Sequence, residues 1–203
     1  MSNFSSILGF WSLVSLASLI ASGAGAQPAK APQAYSVTEV NAMFGATMTL
    51  KIDRDGDKAV VDETVPSRSA GSPGIHTHTY YDIKNHQSNS VDLNFAKDNC
   101  SHGAFDDNWF DPFEMSATLL RSFENAQQVG TETVNGFVTE VMESGAAGPG
   151  HKKVWLDTTS GLIIKAEIGA KTIIEVKQLS LTKPAASLFA VPAACAAAPL
   201  PPS

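Results

Sequence analysis

Apolar and polar residues alternate along most of the chain, and this is the pattern of β-strands. In residues 46–52 every second side chain is apolar, and similar patterns recur at 59–65, 75–83, 136–142, 153–157, 162–168 and 172–181. Residues two apart on a strand share a face, so each strand would bury one face and expose the other. The pattern predicts a mainly β fold, an antiparallel sheet that curls over something on a single side.

One segment has the spacing of an amphipathic helix. Residues 111–114 (Asp-Pro-Phe-Glu) combine a favoured N-cap, a proline at the first helical position and a glutamate three residues after the cap. An apolar face then follows at Phe113, Ala117, Leu120 and Phe123. A weaker helical pattern covers residues 37–44, so we expect one or two helices against the sheet.

The N-terminus carries an uncharged apolar run, residues 4–21, which is followed by Ala24-Gly25-Ala26. A hydrophobic region before a small-x-small motif predicts an export signal, residues 1–26, cleaved after Ala26. The protein would then be periplasmic or secreted. The alternative is a retained membrane anchor, since the run is about 18 residues long and no Lys or Arg precedes it.

The remaining chain predicts one domain. We interpret residues 27–38 as a flexible leader, residues 39–196 as a single β domain and residues 197–203 as an Ala- and Pro-rich tail. No second long apolar run follows the signal, so we expect no stable membrane insertion after signal removal, and we favour a monomer.

Charge and motif content argue against several functions. The formal net charge is −6, which disfavours nucleic acid and charge-driven binding to anionic lipid. Neither a Gly-x-Ser-x-Gly elbow nor a His-Glu-x-x-His motif is found, and the carboxylates form no obvious acid–base pair. We therefore predict that the chain is not an enzyme and requires no cofactor.

The chain has two cysteines, Cys100 and Cys195. In an oxidising compartment such a pair most simply forms one disulfide, here closing a loop of about 95 residues. The alternative, a reactive thiol, needs a basic neighbour to lower its pKa, and only His102 lies near Cys100 in sequence.

His76 and His78 are a candidate metal site. Two residues apart on a strand, both imidazoles would point to the same face, with His86 or Asp82 as further ligands across a hairpin. This pattern would suit a metal-dependent exported enzyme. The alternative is a solvent-facing strand with polar residues.

Aromatic residues concentrate before and within the predicted helix. This density exceeds what the start of one helix requires, and it predicts a lid or cavity rim for an apolar ligand. The candidate ligand-binding residues are Phe105, Trp109, Phe110, Phe113, Leu120 and Phe123. The alternative is that they fill the protein's own core.

Several phrases in the second half of the chain resemble the LolA-like superfamily of exported proteins, which includes outer-membrane lipoprotein carriers and sorting proteins. They are residues 129–137 (Val-Gly-Thr-Glu-Thr-Val-Asn-Gly-Phe), 153–157 (Lys-Val-Trp-Leu-Asp), 160–165 (Ser-Gly-Leu-Ile-Ile-Lys) and 189–192 (Phe-Ala-Val-Pro). In layout the resemblance covers about residues 40–195, but it is specific only over 129–192.

The resemblance implies a half-open antiparallel β-barrel with one or two helices over its concave face and an apolar cavity for acyl chains. In the carriers an arginine inside the barrel holds the helical lid, and Arg68 and Arg121 are candidates for it by position. The cysteine pair and the histidine-rich strand depart from the carrier pattern.

Three hypotheses of function follow. The favoured one is an exported binding protein that shelters a hydrophobic ligand, either a lipid or an acylated protein such as a lipoprotein, with residues 105–123 as the lid. The second is the metal-dependent enzyme that uses His76 and His78. The third is an envelope interaction module with no small ligand.

Overall fold

The structure, a computed structural model, describes residues 31–42, 45–95, 99–105, 109–123 and 126–196. The predicted export signal, the first residues of the leader and the C-terminal tail lie outside these residues. No helix within the described ranges is both long enough and apolar enough to cross a membrane.

The described residues form eleven strands and two short α-helices, with one 3-10 turn at Ala186–Phe189. In chain order the elements are β1 (Ala34–Asn41), β2 (Met48–Asp55), β3 (Lys58–Val65), β4 (Ile75–Asp82), β5 (Gln87–Asp92), β6 (Cys100–Ala104), α1 (Pro112–Arg121), β7 (Gln127–Val134), β8 (Phe137–Ser144), β9 (Lys152–Asp157), β10 (Ile163–Ile168), β11 (Lys171–Ser180) and α2 (Ala193–Ala196).

All the strands belong to one antiparallel sheet, in the order β6-β5-β4-β3-β2-β1-β11-β10-β9-β8-β7. β6 and β7 form the two edges, so the sheet is open rather than closed into a barrel. The N- and C-terminal strands of the sheet, β1 and β11, pair at its centre. The predicted fold class, a mainly β antiparallel sheet with minor helix, is confirmed.

Strand β1 corrects two predictions. The sequence predicts a flexible leader over residues 27–38 and a weak helix over residues 37–44, but Ala34–Asn41 is a central strand. Its side chains are buried at every second position, from Tyr35 to Asn41. Pairing with β2 on one side and β11 on the other satisfies its backbone, and this tertiary pairing outweighs the local helical pattern.

Strands β5 and β6 lie outside the predicted set because their sequences are polar. β5 reads Gln-Ser-Asn-Ser-Val-Asp and β6 reads Cys-Ser-His-Gly-Ala, so neither shows an apolar face. They extend the sheet because β5 pairs with β4 and β6 pairs with β5. A hydroxyl contact of 3.0 Å joins Thr79 on β4 to Ser90 on β5.

The predicted disulfide is present and joins Cys100 on β6 to Cys195 in α2. After β11 the chain returns across the first half of the sheet, where the 3-10 turn contacts β3 and α2 contacts β5 and β6. The bond therefore ties the C-terminal segment to an edge strand, which is a structural role.

Candidate functional site

One face of the sheet is apolar and is covered by α1. Its larger part, which we call the β1–β4 cluster, also takes residues from the β10 and β11 region. Its members are Tyr35, Val37, Met48, Leu50, Ile52, Ala59, Val61, Tyr81, Phe110, Phe113, Leu162, Ile164 and Val176. The second part, the β9–β11 cluster, comprises Leu119, Phe123, Val154, Ile163, Ala166, Ile173 and Ile174. Helix α1 and the residues that flank it contribute side chains to both clusters. The helix therefore packs across both halves of the apolar face of the sheet.

Helix α1 begins as the sequence predicts. The Asp111 carboxylate accepts hydrogen bonds from the backbone N–H groups of Phe113, at 2.9 Å, and Glu114, at 3.3 Å. Pro112 occupies the first turn, where a missing N–H costs nothing. The cap fixes the direction in which the helix enters, so that Phe113 packs against Tyr35 with ring centroids 5.0 Å apart.

The same Asp111 carboxylate forms an ion pair with Arg54 of β2. Asp111 is fully buried and the Arg54 side chain is only 12% exposed. Burial acts against the charged guanidinium, but Asp111 and Tyr35 together outweigh it, so the pKa of Arg54 lies above its ordinary value. We call this pair the latch, because it joins the start of α1 to the sheet.

Tyr35 lies beside the latch. Burial, together with the neighbouring Asp111 carboxylate, raises the pKa of the Tyr35 phenol far above its ordinary value, so the phenol remains neutral. The phenol ring also contacts Phe113, so β1, β2 and the first turn of α1 meet at one point.

The latch corrects the arginine candidates. Arg68 donates to the Gly45 carbonyl at an exposed position, and the exposed Arg121 donates to Thr118 within the last turn of α1, at 2.8 Å. Neither joins the helix to the sheet. Arg54 joins the helix to the sheet. It was not a candidate from the sequence, because it lies in an Asp-Arg-Asp-Gly segment that is typical of a polar turn. A period-two count from Leu50 and Ile52 would have placed it on the buried face.

A second carboxylate, Glu39 of β1, is buried under α1 with 1% of its surface exposed. Its Oε1 accepts a long hydrogen bond, 3.5 Å, from the amide of Asn41, which also lies 3.5 Å from the Met115 sulfur of α1. Burial raises the pKa of Glu39 to about 7, because desolvation disfavours the charged form. Glu39 and Asn41 thus form a polar pair that is enclosed in the apolar face. The sequence pattern does not reveal this pair, because it predicts a helix over residues 37–44.

The structure places the predicted lid residues in three environments. Phe110, Phe113 and Phe123 are buried, with 0%, 6% and 5% exposure. Phe105 and Leu120 are partly buried against the clusters, whereas Trp109 is exposed. Phe110 also stacks on Tyr81 at a centroid distance of 4.0 Å. These side chains occupy the apolar face themselves, so a ligand would need α1 to move.

His76 and His78 lie on the opposite face of β4, since they alternate with the buried Tyr81. Both rings approach one carboxylate, Asp62 of β3, at 3.2 and 3.4 Å, and the residues proposed as further ligands, Asp82 and His86, do not join them. Within the described ranges no group of three or more metal-ligating side chains is suited to hold an ion. Two imidazoles sharing one carboxylate form a polar surface cluster.

A cavity of about 560 Å³ opens on the face of β1 and β2 that points away from α1. Ser36, Lys51 and Asp53, which alternate with the residues buried under α1, contribute to its wall, together with Lys177 of β11. Ser36 donates to Asp53 there. Its wall also contains apolar side chains, Val37, Phe137 and Leu179, which belong to the β1–β4 cluster or pack against it. The cavity is therefore lined by both polar and apolar residues.

Comparison with solved structures finds similar folds at low sequence identity. The crystal structure of MucB shares 17% identity over 80% of this chain and 58% of the MucB chain, with a TM-score of 0.46. The Pseudomonas aeruginosa MucA/MucB complex gives 17% identity, 80% and 56% coverage and a TM-score of 0.43. An uncharacterised conserved protein from Thermus thermophilus gives 9% identity, 81% and 88% coverage and a TM-score of 0.45.

The chain thus spans less than two thirds of the MucB chain. No protein-family model matches the sequence, and no curated protein matches it. The similarity concerns the fold, and membership of the LolA-like superfamily stays a prediction.

Proposed function

We propose that this chain is an exported, non-catalytic binding module that holds an apolar group, such as an acyl chain, against the concave face of its sheet. The observation that carries the proposal is the cover: α1 lies across a continuous apolar face and is joined to the sheet by the Arg54–Asp111 latch. The apolar group would occupy the surface that Phe113, Leu119 and Phe123 now cover.

The way α1 is attached supports a cover that moves. The helix has ten residues, and its contact with the sheet combines apolar side chains with the buried latch. A buried ion pair contributes little net stability compared with apolar residues of the same size, although it fixes one arrangement. The latch therefore fixes α1 in one position. Separating α1 from the sheet requires less free energy than it would if apolar side chains replaced the ion pair.

An incoming acyl chain can replace the contacts that α1 gives up. Burial of a phenylalanine or leucine side chain contributes about 1.5–3 kcal/mol, and each buried methylene of a ligand contributes about 0.8 kcal/mol. A long acyl chain therefore offsets the exposure of Phe113, Leu119 and Phe123. The proposal thus depends on replacing apolar contacts between α1 and the sheet with apolar contacts between the acyl chain and the sheet.

The test is uptake of a fluorescent long-chain fatty acid by the mature chain after removal of bound lipid by solvent extraction. We expect saturable binding, and faster uptake by Asp111→Asn, because this change removes the charge of the latch while an asparagine can still cap α1. Arg121→Met is the matched control, since it removes an exposed arginine from the same helix. Folded protein that takes up no probe in any variant would contradict the proposal.

A second function is favoured by one observation. Phe110, Phe113 and Phe123 already fill the apolar face, as in a module that binds a partner protein and no small ligand. For this function, Asp111→Asn would lower stability without producing uptake, so the same titration separates the two.

A further inference from the structure

The two edges of the sheet differ in their protection. β6 has five residues, is tied to the C-terminal segment by the Cys100–Cys195 disulfide and has α2 packed against it. β7 has eight residues, of which 127–133 are all exposed, and in the described part of the chain its only strand neighbour is β8. Its sequence, Gln-Gln-Val-Gly-Thr-Glu-Thr-Val, has no Pro or Lys to block pairing with another chain.

The turn after β7 determines which of its backbone groups are open. Asn135 and Gly136 have positive φ values of 50° and 87°, as in the two-residue turns of tight hairpins. Val134 and Phe137 flank this turn and face each other. In such a hairpin the flanking pair exchanges both hydrogen bonds, and bonded pairs then alternate along the strands.

Counting along the strand from that pair, the backbone N–H and C=O groups of Glu132 point toward β8. In agreement, the hydroxyl of its partner Thr139 donates to the Glu132 carbonyl at 2.8 Å. The N–H and C=O groups of Thr131 and Thr133 therefore point away from β8. They form a two-residue ladder that can accept one more strand.

A fixed negative charge stands between these two threonines. The Glu132 Oε2 accepts a hydrogen bond from the Trp155 indole at 2.8 Å, and its Oε1 lies 3.5 Å from the Lys153 amine. The Trp155 hydrogen bond is the main reason that the pKa of Glu132 lies below its ordinary value, so the group is an anion at neutral pH. Its side chain is 52% exposed, which leaves it accessible to a charge on an added strand.

This charge argues against a second copy of the chain as the added strand. The antiparallel register that uses both open residues pairs Thr131 of one copy with Thr133 of the other, and it sets the two Glu132 side chains directly opposite each other. Like charges at directly opposite positions are destabilising. A basic residue at that position is favoured instead.

We propose that the β7 edge binds an extended segment of a partner protein by strand addition, with a Lys or Arg of that segment opposite Glu132. The backbone groups of Thr131 and Thr133 supply the hydrogen bonds, and Glu132 supplies the specificity. The surface is separate from the apolar face under α1, so the proposal does not depend on uptake of an acyl chain.

The experiment titrates the mature chain with a short synthetic peptide that alternates Thr and Val around a central Lys, and with its counterpart that has a central Glu. Binding is followed by backbone amide NMR, including hydrogen exchange at Thr131 and Thr133. We expect slower exchange at both amides and about fivefold tighter binding of the Lys peptide. Glu132→Gln should reduce that preference.

Thr133→Pro is the blocking variant, because proline removes an N–H that β8 does not use and edge strands tolerate it. Thr133→Ala is its matched control, since it keeps the N–H, and circular dichroism confirms that both remain folded. We expect the proline variant alone to lose the peptide. Equal binding by the two variants, or no slowing of exchange at millimolar peptide, would overturn the proposal. A dimer of the free chain that only Thr133→Pro dissociates would overturn it in favour of self-pairing.

Discussion

The latch gives the sharpest prediction about how α1 is held. Asp111→Asn leaves Arg54 buried without its carboxylate, at a position that is 12% exposed. Removing one partner of a buried ion pair costs about 3–5 kcal/mol, and the partial exposure of Arg54 places the expected loss near the lower end, about 3 kcal/mol. Asn still serves as an N-cap, so Asp111→Ala should cost about 1 kcal/mol more.

A double-mutant cycle separates the ion pair from the packing around it. In Arg54→Met/Asp111→Asn neither charge is present, so the double variant should be more stable than the sum of the two single changes predicts, by about 2 kcal/mol. The measurement is urea unfolding of the mature chain, followed by far-UV circular dichroism. Arg121→Met, the exposed control on the same helix, should change stability by less than about 0.5 kcal/mol.

Two results would refute this reasoning. An Asp111→Asn variant within about 0.5 kcal/mol of the wild type would mean that the pair is solvated or exchanges freely with water. Additive single changes would mean that Arg54 and Asp111 act independently, and the name latch would then be wrong.

Three further predictions test other parts of the structure. Burial raises the pKa of Glu39 in the folded protein from 4.5 to about 7, so ionised Glu39 destabilises the fold. This loss of stability should be absent below about pH 4.5 and complete, on the order of 3 kcal/mol, above about pH 7. Glu39→Gln should flatten the pH profile of stability, and an unchanged profile would contradict the prediction. Cys100→Ser/Cys195→Ser opens a loop of about 95 residues and should lower the free energy of unfolding by about 4–5 kcal/mol in urea, whereas a loss under about 1 kcal/mol would contradict the structural role. Asn135→Ala removes two hydrogen bonds, of 3.1 and 2.8 Å, and replaces a residue that tolerates a positive φ. It should lower the free energy of unfolding in urea by about 2 kcal/mol, whereas the exposed control Gln128→Ala should change it very little. Equal effects of the two variants would contradict this prediction.

The parts of the fold that sequence reasoning predicted are those in which local pattern and tertiary burial agree. Strands with one apolar face, such as Met48–Asp55, follow directly from period-two alternation. The start of α1 follows from capping chemistry, because Asp111 serves as the N-cap through its own side chain. The disulfide follows from cysteine number and compartment.

The parts that sequence reasoning missed depend on neighbours. The polar strands β5 and β6 form because β5 pairs with β4 and β6 pairs with β5. Strand β1 carries Glu39 and Asn41 at buried positions where apolar residues are expected. The position of Arg54 could not be distinguished from that of a turn residue. Its role becomes apparent only when the fold brings Asp111 to it across 57 positions of sequence.

The same limits apply to the site. The density of aromatic residues before and within α1 predicts a ligand site, but their spacing does not show whether they line an open cavity or fill it. In the structure Phe110 and Phe113 are buried in the apolar face, and the open cavity on β1 and β2 is lined by both polar and apolar residues. The proposed binding of an acyl chain therefore requires α1 to move away from the sheet.

Photo-crosslinking tests this point most directly. The mature chain is incubated with a fatty acid that carries a diazirine near the end of its acyl chain, irradiated and mapped by mass spectrometry. We expect saturable crosslinks to residues under α1, such as Leu50, Ile164 and Val176, with a higher yield in Asp111→Asn than in Arg121→Met. Crosslinks confined to the cavity lined by Ser36 and Lys177, or none above an irradiated control protein, would contradict this expectation.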